Sequence, residues 1–188
     1  MSKERITHED LLHNAAYGAA DKLVNMALSQ EKFEKMEVDE GTRMAMVIDI
    51  YKLNMFLVFA VLQDAKHRDN AQLQVVTQKL EALYNKQQEE GFKQALEALN
   101  ETPEAAQAWQ KAGLLDDPFE IYLSAINKGS REFVDTPFGI LTEKLAALHF
   151  PENLKDDAYG TFAYLLPQAA VEVIGCVDNP PERFEIIE

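Results

Sequence analysis

Cysteine is nearly missing. Cys176 stands alone among 188 residues, so no intramolecular disulfide can staple the fold, and four scattered histidines cannot join it in a cysteine-rich zinc module. A single thiol fits a reducing compartment, and the cytoplasm is the expected location. The eight glycines follow neither a Walker nor a dinucleotide-loop pattern, and no Gly-x-Ser-x-Gly elbow occurs. The basic residues of Met1–Asp10 have no apolar stretch behind them, so neither a secretory signal nor an anchor is expected. No cofactor is expected.

Positive charge is also short. Asp and Glu number 32 against 18 Lys and Arg, a net of −14, which disfavours nucleic acid and anionic membrane as direct partners because phosphates would be repelled. Residues 101–188 carry 16 acids and 6 bases, and residues 1–100 carry 16 and 12, so the second half holds most of the field. One long apolar run exists, Met44–Leu62, but Asp49, Lys52 and Asn54 interrupt it. Each mid-span charge would cost about 2.5–3.5 kcal/mol on the insertion scale, so a buried soluble helix is expected rather than a membrane span.

With 47% hydrophobic and 27% charged residues, the chain has the makings of one core and reads as a single domain over 1–188. Periodicity makes it all-α, an irregular bundle of about seven to nine helices. Thr7 and Asp10 resemble a capping box opening a helix over 8–29, and 30–41 is a charged connection. Thr42 is placed to cap an apolar central helix over about 43–66, so hydrophobic all round that neighbours must surround it. Asp69 or Asn70 caps a third helix with the stripe Leu73, Val76, Leu80, Leu83 and Tyr84, and Gly91 leaves open whether 70–100 is one helix or two.

Residues 101–177 read as a lobe of shorter helices. Three begin with proline at the first helical position, at Thr102-Pro103, Asp117-Pro118 and Thr136-Pro137, and Gly113 and Gly129 sit where the first two should end. The faces Phe119/Tyr122/Leu123/Ile126 and Phe138/Leu141/Leu145/Leu148 are each one-sided. A last helix covers about 155–175, with Pro167 expected to force a kink or a new start. The tail 178–188 ends in an extended piece over 184–187, and no other segment alternates like a strand. The proline starts span 34 residues, a tetratricopeptide period, but no second copy of that pattern exists.

Chemistry-bearing motifs are few. Asp10/His13 and Asp64/His67 each put an acid and a histidine three apart on one helix face, a weak alternative as metal ligands. His67-Arg68-Asp69 copies kinase letters without the loops that chemistry needs. Cys176 lies among Val173, Ile174, Gly175 and Val177, a setting that keeps a thiol protonated. Asp49, Lys52 and Asn54 are candidates to line a ligand pocket within the bundle, or else to pair with one another.

The leading expectation is therefore a non-enzymatic binding protein that regulates, inhibits or escorts a partner with a basic surface. Trp109, Asp116, Asp117, Glu120, Asp156 and Asp157 are the expected contact residues, and self-association is compatible with the sequence. Mimicry of DNA by the acidic face is a remoter reading. The alternative is a small-molecule or metal-binding bundle, enzymatic or not, with a site between the long helices.

Overall fold

The computed structural model describes residues 3–67, 70–101 and 118–187. The described residues are all-α apart from one pair of short strands. Strand β1 (Glu4–Thr7) leads directly into α1 (His8–His13), where Thr7 accepts the amide of Asp10 at 3.0 Å and its hydroxyl donates to the Asp10 carboxylate at 2.8 Å. A π-helical turn, Asn14–Gly18, joins α1 to α2 (Ala19–Leu28) without a break. Thus 8–28 is one rod, close to the expected 8–29. Counted so, the described residues hold seven α-helices.

Helix α3 (Glu40–Ala65) is the centre of the fold, as its composition requires. It packs against α2, α4 (Ala71–Glu101), α6 (Pro137–His149) and α7 (Lys155–Val177). Its cap differs from expectation: Asp39, not Thr42, is the N-cap, accepting the amide of Thr42 at 2.8 Å and its hydroxyl at 3.0 Å. A carboxylate offers two acceptor oxygens and so serves both donors of Thr42, which moves the helix start to Glu40. Those hydrogen bonds hold the Asp39 carboxyl below the usual carboxylate range. The segments 40–65 and 152–177 are long and apolar enough to cross a membrane by length and composition. Helix α3, surrounded on several sides, holds the position of a core helix.

Helix α4 runs unbroken through Gly91, started by Asn70, whose side chain accepts the Leu73 amide at 3.1 Å. Helix α5 (Phe119–Lys128) ends at Gly129, whose φ of 61° is the left-handed conformation that closes a helix without Cβ strain. Thr136 caps α6 by accepting the Gly139 amide at 3.2 Å, with Pro137 next in line as expected. Helix α7 continues without a break past Pro167, so of the expected kink or new start the new start is corrected. Its packing against α6, α3 and α2 supports the turn that lacks a backbone donor.

A four-residue helix, α8 (Pro180–Arg183), precedes β2 (Phe184–Ile187), the extended tail. β2 pairs in parallel with β1, Glu4 opposite Phe184 and Thr7 opposite Ile187. The strand Glu4–Thr7 was not expected. Its four residues, with one buried side chain, are too few for an alternation to register, and the partner that makes them a strand lies at the far end of the chain.

Two aromatic clusters fix the parts that matter below. Phe119 and Tyr122 of α5 lie 5.0 and 5.4 Å from Phe56 of α3, which docks α5 on the central helix. Phe33, in a 3-10 turn over Glu31–Phe33, lies 5.1 Å from Phe150, which meets Phe162 of α7 at 5.8 Å. These buried rings hold the 31–38 connection against the corner that follows α6.

Candidate functional site

Asp49 lies two turns into α3 with its side chain only 1% exposed, where a lone carboxylate would be prohibitively costly. Lys144 of α6 donates to its Oδ1 at 2.7 Å, and Nε2 of His149, the last residue of α6, stands 3.5 Å from Oδ2. Lys144 extends from the surface, 31% exposed, whereas the His149 ring is 6% exposed. Asp49 also acts on the phenol of Tyr122: burial first, and the nearby negative charge second, push that group well above its ordinary range.

The His149 ring is one wall of an open cleft of about 590 Å³. Thr42, seven residues before Asp49 and so on the same side of α3, lines it too, with Asn153 and Leu154 beyond the corner. The opposite wall is the 31–38 connection, which contributes Lys32, Lys35 and Glu37. Phe33–Phe150 contact accounts for this arrangement, since Lys32 and His149 are the immediate chain neighbours of the two touching rings. Nε2 is the nitrogen turned to Asp49, and the residue itself borders the cleft. A histidine held by a carboxylate at the wall of a cleft is a group able to exchange a proton with a bound molecule.

The sequence-level candidates are dispersed. Asn54, buried, donates to the carbonyl of Ala16 at 2.8 Å and belongs to the helix contact, not to the cleft. Lys52 is half-buried. Asp10 is engaged by Thr7, His13 stacks on Tyr17 at 5.3 Å, and Asp64 and His67 are exposed at the far end of α3. Among the described residues no three metal-binding side chains gather. Glu120, Asp156 and Asp157 are exposed, and Lys32 approaches Asp157 at 4.0 Å. Trp109, Asp116 and Asp117, like the start at Thr102-Pro103 and Gly113, lie outside the described residues.

Lys144 and His149 were missed. The signal available was slight: a histidine closing a helix whose only lysine sits five residues earlier, just before Phe150-Pro151. A second cleft, about 620 Å³, lies beside β2 and α4; its Lys3, Lys79 and Glu185 are exposed, and half-buried His8 also lines it. No protein-family model, curated protein or solved structure matches the chain.

Proposed function

We propose that this chain is a small-molecule-binding helical protein whose site is the cleft walled by His149, with the Asp49–His149 pair as its proton-handling group. One observation carries the reading: a nearly buried imidazole, backed by a fully buried carboxylate, forms part of an open cleft of small-ligand size. Stability alone is a weak reason to keep such a pair, since buried ion pairs rarely improve on packed apolar side chains. The test is a screen of several hundred small polar compounds by NMR on the wild type and on His149→Gln. Binders should shift the signals of Thr42, His149 and Asn153 and lose affinity in the variant. Binders that all map elsewhere, or bind the variant equally, would overturn the reading.

A second reading has its own support on α5. There Ile121, Leu123 and Ile126 are about half exposed, beside exposed Glu120, while Tyr122 and Ala125 face the core. The expected packing of Leu123 and Ile126 is thereby corrected. Apolar side chains with an acidic neighbour suit a protein partner with a basic surface. A partner recovered on immobilised protein should dissociate faster as salt rises, and salt-independent binding would count against this surface.

A further inference from the structure

The cleft is less acidic than the molecule as a whole. On a chain of net −14, its lining includes Lys32, Lys35 and His149 beside Glu37, while the Asp157 carboxylate stands 4.0 Å from Lys32. Lys32 is partly committed, donating also to the Asp157 carbonyl at 3.1 Å. Lys35 is exposed on the same wall. Two lysines in one cleft give an anion a local foothold on a surface that otherwise repels it.

Resting on the cleft reading above, we propose that the ligand class is a small phosphate monoester, its phosphate seated between Lys35, Lys32 and His149. Three features select this class. The cations are lysines, which bind phosphate as point charges. A phosphate monoester, whose second ionisation falls at about pH 6, presents both O–H and O⁻ near neutrality, so it can pair with an imidazole as either acceptor or donor. A volume of about 590 Å³ admits a metabolite-sized body, and the surrounding negative field discriminates against long polyanions.

The experiment titrates the full chain with inorganic phosphate, phenyl phosphate and acetate, following backbone amides by NMR. Wild type is compared with Lys35→Ala and His149→Gln. Lys35 is an exposed connection residue, so its variant should fold normally, which thermal unfolding checks. Phosphate and phenyl phosphate should shift the amides of 32–37, Thr42 and 149–154, acetate should bind about tenfold more weakly, and Lys35→Ala should weaken phosphate binding by a similar factor. Equal binding of acetate, or phosphate binding unchanged in Lys35→Ala, overturns the proposal. If neutral compounds occupy the His149 cleft while phosphate does not, the phosphate assignment fails and the cleft reading stands. If nothing occupies it, both fail.

Discussion

Asn54 donates its side-chain amide to the carbonyl of Ala16 at 2.8 Å, inside the turn where the first rod of the bundle widens to π-helical spacing. Ala16 also accepts the amide of Ala19, so the widened turn is closed from within and braced from α3. Both groups are buried, where an unmade hydrogen bond is expensive. One polar side chain on an otherwise apolar helix thus locks the register of two long helices.

Asn54→Leu should therefore destabilise the protein by about 0.5–1.5 kcal/mol, the net worth of one buried hydrogen bond, since the Ala16 carbonyl keeps the amide of Ala19. Urea unfolding measures it, and hydrogen exchange should quicken locally at residues 14–19. A variant as stable as the parent, with unchanged exchange, would show that the turn needs no brace.

Two glycines should respond to alanine with opposite sign. A Cβ at Gly139 would meet the Phe133 carbonyl oxygen at 2.1 Å, where the start of α6 presses on the 3-10 turn at Phe133–Asp135. That neighbour is backbone and cannot swing aside, so Gly139→Ala should cost about 1–3 kcal/mol. Gly160, exposed within α7, has open space around its Cβ position, and alanine there should add about 0.5–1 kcal/mol by helix propensity. Equal melting temperatures for the two variants would contradict this.

What could be read from the sequence followed the range of the interaction. The cap at Thr7, the proline start at Thr136-Pro137 and the left-handed stop at Gly129 depend on residues within four positions, and all three stand in the structure. The burial of α3 was legible because an apolar helix without a polar face has no other place to go. Asp49 was recognisable as a costly residue, but its partners lie 95 and 100 positions away on α6, and no local pattern announces them. The same limit hid β1, whose partner is the other end of the chain, and the cleft, which exists only because Phe33 meets Phe150.

Removing Asp49 alone from its cluster with Lys144 and His149 should hurt more than replacing all three. Asp49→Ala leaves Lys144 and His149 facing an apolar gap and should cost about 3–5 kcal/mol, whereas Asp49→Leu combined with Lys144→Met and His149→Phe should recover most of that loss. Differential calorimetry on the two proteins decides the matter. If the triple variant stays as unstable as the single one, the trio is a stabilising network, and the argument that it is kept for its chemistry weakens.

The thiol of Cys176 should ionise late. Burial raises it above the ordinary thiol range; Arg183, whose Nη1 lies 3.9 Å from the sulfur, pulls it down, and Glu172 pushes it up further. A raised folded-state value means that the stabilisation tied to the protonated thiol is complete below the ordinary thiol range and is lost as pH climbs through the shifted one. Alkylation, which requires the thiolate, should therefore be slower at pH 8 than for an unstructured cysteine peptide, and its pH–rate curve should sit to the alkaline side. Arg183→Gln should move that curve further alkaline and Glu172→Gln should move it back, opposite displacements that accessibility alone would not produce. A wild-type curve superimposed on that of the peptide would mean that the helix end leaves the sulfur in water.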